Sequence, residues 1–368
     1  MDAANNVMNP YGYALRVAGN PSSTWTGGNP GQPNNMSHNQ NWTSSGVPSD
    51  VYVLFDAGTS TYLGPLVDAI TNLRGLYFKS TAGAGDGFTF GGTSTLTIGR
   101  GGITNYDNDR QTFTAPILLG SSQYWDGGAG GITVGAVNTN GRLLEVTGSG
   151  LNRLTGVVSG TGGLAVSGGT LEVTGQNTYS GDTWVHGGVL AVNNIAGSGT
   201  GSGTVRVAQG GTLSGEGVVG GSAIIYGSVA PGNSVGTLTV DGDVTWHAGD
   251  AWLFELFDSA DSLAASALGV SIQDQLQVGG NFVQGTGSVW TFDFAGTGEL
   301  GWCELIGWSG VNDFAATDFG ATNLAEDYTA SFQIQSDALY VQVIPEPHSV
   351  LLLALAGLAL GLRRVSAI

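Results

Sequence analysis

Only ten of the 368 residues are basic, one lysine (Lys79) and nine arginines, against 28 acids, which leaves a formal charge of -18. Binding a nucleic-acid polyanion needs a basic stripe that releases counterions, and the sequence has no run of cations outside its extreme C-terminus, so nucleic acid is excluded as a partner. A single cysteine, Cys303, rules out an intramolecular disulfide and a thiolate metal cluster and reads as a small, buried apolar residue. The four histidines, His38, His186, His247 and His348, lie far apart and show no ligand spacing, so neither a metal nor a cofactor is expected. Long glycine-free stretches are scarce before the extreme C-terminus. Glycine costs a helix interior about 1 kcal/mol relative to alanine, so a helical bundle is excluded. No glycine recurs strictly every third residue, which removes collagen.

Glycine itself is abundant, 64 residues, while 41% of the chain is apolar and 10% charged. An apolar fraction of that size is more than a disordered chain usually carries, so a folded, strand-rich body remains. Between residues 90 and 295, short apolar alternations recur between glycine turns: Ser94 to Ile98, Gly131 to Val137, Leu143 to Thr147, Leu164 to Ser167, Thr170 to Thr174, Thr183 to His186 and Val189 to Val192. Period-two alternation of this length is a half-buried strand. A Gly-x-Leu element recurs at Gly169-Thr170-Leu171, Gly188-Val189-Leu190, Gly211-Thr212-Leu213 and Gly236-Thr237-Leu238. It returns at intervals of roughly 20 residues, the period of a solenoid repeat. Each unit is too small to bury its own apolar face, so units must stack. The spacing predicts a parallel β-helix, with an antiparallel sandwich or barrel as the alternative. Trp290 to Phe294, Cys303 to Trp308, Ser331 to Ile334 and Leu339 to Ile344 extend the strand pattern as last coils or a C-terminal cap over 286–344. Val51 to Phe55 and Leu76 to Phe78 begin it, with a short helix possible over Leu63 to Leu76.

The wording from Gly163 to Asn193, GLAVSGGTLEVTGQNTYSGDTWVHGGVLAVN, resembles the autotransporter-associated β-strand repeat. Ala230-Pro231-Gly232-Asn233-Ser234-Val235-Gly236-Thr237-Leu238 and Asp274-Gln275-Leu276-Gln277-Val278 strengthen it, and the clear match spans about 155–280. The resemblance implies a right-handed β-helix of passenger type, presented outside the cell.

From Pro345 onward the chain changes character. Pro345-Glu346-Pro347 precedes an apolar run, Val350 to Leu362, closed by Arg363 and Arg364. A run of that length makes about 20 Å of helix, shorter than the roughly 30 Å hydrocarbon core, but two arginines can snorkel at its cytoplasmic face. This order resembles the PEP-CTERM sorting signal of Gram-negative envelope proteins. The resemblance implies a transmembrane sorting helix, recognition of Pro345, Glu346 and Pro347 by an exosortase, and Arg363 and Arg364 as stop-transfer charges; Val365 to Ile368 and a cluster of only two arginines depart from the pattern. Met1 to Asn20 has no basic start, no sustained apolar run and no cleavage box, at odds with export, so the natural start is expected upstream.

These readings divide the chain into a loosely ordered 1–20, a β-helix body over 21–344 and a sorting tail over 345–368. No catalytic constellation stands out. Asp107-Asn108-Asp109-Arg110 and the acids Glu255, Asp258 and Asp261 read as polar loops. Gly215-Gly217-Gly220 and Gly296-Gly298-Gly301 open no helix, Ser234 in Gly232 to Gly236 leads into a strand, and Gly83 to Asp86 is a lone fragment of a calcium nonapeptide. Trp125 and Trp184 are candidate carbohydrate contacts, because an indole face stacks on a sugar ring. The expectation is a non-enzymatic surface or matrix protein associated with exopolysaccharide or biofilm; the alternatives are a polysaccharide-active β-helix enzyme and a carbohydrate-binding adhesin.

Overall fold

The computed structural model describes residues 21–346 except 30, 33, 45, 70, 80–84, 86, 234, 257–272, 295, 296, 298 and 299. It is 48% strand and 2% helix, which fixes the class as all-β. Pairing between successive coils is parallel, which excludes the sandwich and barrel alternative. The register connects Leu144 to Leu164, Thr183, Val205, Ala223, Val244 and Phe282 in turn. Each step is a single coil of the solenoid, and the last is lengthened by 257–272. Such in-register stacking is the course of a parallel β-helix.

Each coil contributes to three faces. The first carries Gln123–Asp126, Leu144–Thr147, Leu164–Val166, Thr183–Val185, Val205–Val207, Ala223–Ile225 and Val244–Trp246. The second carries Ile132–Val134, Leu151–Leu154, Thr170–Val173, Gly188–Val192, Gly211–Gly215 and Ser228–Pro231. The third takes residues 71–73 and 96–98, the leading parts of Thr71–Phe78 and Leu96–Asn105, then Ile117–Leu119, Val137–Asn138 and Val158–Ser159, and resumes with Val218–Val219, Thr237–Val240, Gln275–Val278 and Leu300–Trp308. Alternation sends every second side chain inward, so identical positions stack. Val146, Val166, Val185, Val207, Ile225 and Trp246 form one buried column, and Leu171, Leu190, Leu213 and Val229 another. Each buried aliphatic side chain contributes about 1.5–3 kcal/mol.

Three of the four Gly-x-Leu elements lie in the leucine column. The fourth does not: Ser228–Pro231 takes the second-face position, and Thr237–Val240 falls on the third face beside Val218–Val219. Glycine opens the element because the backbone turns there with φ of 62° at Gly169 and 73° at Gly188. A Cβ at either would overlap the carbonyl of the glycine one coil below, Gly148 or Gly169.

Buried asparagines fasten the corners. Asn177 accepts from Val158 N (2.7 Å) in the preceding coil and donates to Gly199 O (2.6 Å) in the next. Asn152 accepts from Ile132 N (3.1 Å) and donates to Thr147 O (3.0 Å). Each amide thus satisfies backbone groups that the turn takes out of the ladder.

The two ends differ. At the N-terminal end, the loop around Trp42 folds over the first strand, Ser23–Trp25, and Trp25 packs edge-on to Trp42 at 5.1 Å. Among the described residues of 63–76 no helix forms; Thr71–Phe78 is a strand in which Thr71, Leu73 and Leu76 to Phe78 are buried against the neighbouring coils. At the C-terminal end, Trp290–Asp293 and Phe319–Thr322 still pair in parallel, and then Tyr328–Gln335 and Ala338–Pro345 form an antiparallel hairpin whose Phe332 covers Phe292 at 5.7 Å. The strand pattern over 286–344 is therefore part last coil and part cap. Leu190→Ala is expected to lower the free energy of unfolding by about 2–5 kcal/mol in a denaturant titration, and Ala191→Ser, on the outward side of the same strand, to stay within about 0.5 kcal/mol.

Candidate functional site

The parity of each strand decides which sequence candidates reach solvent. In Gln123–Asp126, Gln123 and Trp125 point inward, and Trp125 is only 1% exposed. Its indole Nε1 donates to Gln123 Oε1 at 2.8 Å. A ring enclosed in the core offers no face to a sugar, so the carbohydrate role expected for Trp125 is corrected; its neighbour Tyr124 takes the outward position. Trp184 does face outward and is half-buried. It lies against the His186 ring at 5.6 Å, and the Arg206 guanidinium sits 5.3 Å from its centroid, while Arg206 reaches Asp182 at 3.4 Å. Burial pulls the His186 pKa down, opposed by the Glu145 carboxylate.

The acidic candidates separate. Asp107 is buried and its carboxylate accepts from Asp109 N, Asp109 accepts from Gly85 N, and Arg110 donates to Leu151 O at 2.8 Å and to Thr133 Oγ1 at 3.1 Å. This segment ties a corner together. Asp258, Asp261, Ser234, Gly83, Ala84, Asp86, Gly296, Gly298 and His348 lie outside the described residues, as do Pro347, the apolar run 350–362, Arg363 and Arg364. Among the described residues, no helix is long and apolar enough to cross a membrane. Pro345 and Glu346 are described, and they correct the expected end of the body at Ile344. Pro345 is the last residue of a strand paired with Tyr328, and Glu346 N donates to Asp327 O at 2.7 Å. A proline at a strand end forfeits little, since its missing donor falls outside the ladder.

Glu255, by contrast, belongs to a cleft that sequence reasoning did not assemble. Ser214, Pro231, Leu253, Glu255, Asp274 and Asp293 line a space of about 240 Å³ where the second face gives way to Trp252–Leu253 and Trp290–Asp293. Asp274 is the buried carboxylate of the three. Its Oδ2 accepts from Glu255 N (2.7 Å) and its Oδ1 from Gly236 N (3.1 Å). Burial pushes its pKa up to about 7, with the Glu255 charge adding to the rise and the two backbone donors opposing it. Asp293 accepts from Asn323 Nδ2 at 2.7 Å. No group of three metal-ligating side chains occurs among the described residues. Asp274 ties Glu255, beside the Leu256–Gln273 bridge, to Gly236 of the coil below. Near neutrality it is also able to exchange a proton with a polar group in the cleft. No motif flagged Asp274; its one signal was its place at the head of Asp274-Gln275-Leu276-Gln277-Val278, where the repeat wording resumes.

With this geometry in place, comparison with known proteins gives partial matches. No family model matches the chain. An extracellular serine protease of Serratia marcescens is 46% identical over 112 residues, 29% of this chain and 10% of that protein. A second Serratia extracellular serine protease is 42% identical over 113 residues, with the same coverage. The adhesin BmaC autotransporter of Brucella suis biovar 1 (strain 1330) is 33% identical over 188 residues, 42% of this chain and 5% of that protein. The chain thus spans a tenth or less of these curated relatives. The matches uphold the autotransporter-related resemblance over part of the chain and carry nothing of the PEP-CTERM motif. They also correct the expectation of a non-enzymatic chain, because two of these relatives are named as serine proteases; the matched part is one tenth of each, and the activity is that of the whole relative.

Because the folded-state pKa of Asp274 is raised, the fold binds a proton that the unfolded chain has already released between about pH 4 and 7. Its contribution is therefore fully present below about pH 4 and is lost as pH rises through about 7, with a slope of at most about 1.4 kcal/mol per pH unit. Asp274→Asn is expected to flatten that slope between about pH 4 and 7 in denaturant titrations; an unchanged slope contradicts the assignment.

Proposed function

We propose that the chain is an exported protein, displayed at the cell surface or in the extracellular matrix, whose parallel coil serves as a stiff spacer and contact surface. The observation that carries this reading is the continuous coil stack combined with similarity to an extracellular protease and an autotransporter adhesin. Among the described residues, twelve strands follow one another along the first face, and at about 4.8 Å per strand the stack reaches roughly 50 Å. In this reading the coil is right-handed and the tail belongs to the PEP-CTERM class: 350–362 holds the chain in the membrane before processing, Arg363 and Arg364 stay cytoplasmic, and an exosortase acts at Pro345, Glu346 and Pro347. Translocating two arginines through hydrocarbon costs several kcal/mol, which supports that orientation. The released coil then associates with exopolysaccharide or biofilm. A carbohydrate-binding adhesin is the second reading, supported by the Brucella adhesin similarity and by the outward position of Trp184.

In a host that carries an exosortase, mass spectrometry of surface-located protein is expected to find the C-terminus upstream of Ile368. Pro347→Ala is expected to keep Ile368 and to hold the chain in the membrane fraction. An intact Ile368 on surface-located wild-type protein refutes processing.

A further inference from the structure

Seven basic side chains lie among the described residues, and three of them, Arg74, Arg100 and Arg142, fall on one corner of the coil, between the third and first faces. They are far apart in sequence; the coil brings them to one edge. At this corner the ladder between Thr71–Phe78 and Leu96–Asn105 is interrupted. Leu73 pairs with Ile98 and Gly75 with Gly102, so the single residue Arg74 opposes Gly99, Arg100 and Gly101. A bulge of this kind bends a strand and re-aims its side chains. The result is a groove of about 300 Å³ with a glycine floor, Gly99 and Gly120, and with Asn72, Arg74, Thr97, Arg100 and Ser121 along it.

The groove already holds one carboxylate. Asp50 sits at its end, with Arg74 Nη2 on Oδ2 at 2.7 Å and Nε on Oδ1 at 3.3 Å, a two-pronged seat, and Arg100 acts on the same carboxylate through space. Beside it runs a row of phenol rings: Tyr52 stacks on Tyr77 at 5.7 Å and Tyr77 on Tyr106 at 6.4 Å, with Arg74 6.0 Å from the Tyr52 centroid. Tyr106 is 56% exposed. Guanidinium, amide and hydroxyl donors along one groove suit a sugar that carries an acid group.

We propose that this corner groove binds a carboxylate-bearing sugar residue, with Arg100 taking the carboxylate, Arg74 fixed by Asp50, and Asn72, Thr97 and Ser121 meeting ring hydroxyls. The overall charge of -18 disfavours long, dense polyanions such as nucleic acid. It does not disfavour a short acidic saccharide, because charges beyond about 8 Å are screened at physiological salt. The proposal gives a site to the exopolysaccharide association above and rests on that reading for its biological setting. Its test uses purified full-length protein, so failure here and failure of export are separate results.

The experiment is calorimetric titration with trigalacturonic acid, galactotriose, a sulfated heparin tetrasaccharide and single-stranded DNA. Trigalacturonic acid is expected to bind best and to weaken with added salt. Arg100→Gln is expected to lower its affinity at least tenfold and Arg100→Lys to recover part of that loss, while Arg153→Gln, on the second face where Arg153 pairs with Glu172, leaves it unchanged. No binding of trigalacturonic acid, equal binding of galactotriose, an unaffected Arg100→Gln protein with wild-type circular dichroism, or tighter binding of the sulfated saccharide or DNA each overturns the proposal.

Discussion

The structure depends on one constraint: each strand is hydrogen-bonded in parallel register to its counterpart in the next coil. At that spacing a side chain meets its equivalent above and below, so every position becomes a column. Val146, Val166, Val185 and Val207 can share a column because a β-branched side chain fits on a copy of itself. Where the backbone of one coil turns against the next, the column admits only glycine, as at Gly169, Gly188 and Gly211. Where a corner leaves backbone groups to be met, a buried amide takes the position, at Asn177 and even at Asn152, which stands in register with Leu171 of the leucine column. None of the described basic side chains is buried, and so a chain with few cations places several of them along one edge.

A stack held together this way has two open ends, each of which exposes apolar core and unpaired strand. Both are closed with aromatic residues. Trp25, Trp42 and Phe55 meet within 6.3 Å at the first coil. Near the other end Trp246 and Trp252 stack at 3.7 Å, and the final hairpin lays Phe332 against Phe292 and Phe319. The antiparallel turn of that hairpin breaks the coil pattern and so stops its growth. Between these ends, Asp274 binds Glu255 and Gly236 of neighbouring coils through a carboxylate whose proton affinity burial has raised into the neutral range.

Much of the body was legible because period-two alternation and glycine punctuation are local signals. Leu144–Thr147, Leu164–Val166 and Thr170–Val173 lie where the alternation put them. Gly236-Thr237-Leu238 has the same wording as the leucine column yet stands on another face, since the chain had already placed Ser228–Pro231 in that slot. Trp125 reads as an available ring because adjacent aromatics at Tyr124 and Trp125 leave the parity of a short strand open, and only the neighbouring coils decide it. The proline pair implies a strand that stops before Pro345, whereas the pairing with Tyr328 carries the strand through it, because the lost donor lies at the terminus.

By itself the amino-acid order determined the class: glycine at the coil corners, alternating apolar residues between them and a short recurring period permit a parallel stack and little else. Which residues became neighbours across coils was decided only by the tertiary structure. The coils differ in length, the one from Thr183 to Val205 being longer than the one from Val205 to Ala223, so no fixed period in the sequence aligns the columns, and the hydrogen-bond register has to do so. The cleft of Glu255, Asp274 and Asp293, and the corner of Arg74, Arg100 and Arg142, exist for that reason alone. Their members are local minorities in sequence, and they meet because backbone pairing between coils, which is blind to side-chain chemistry, sets them on the same edge.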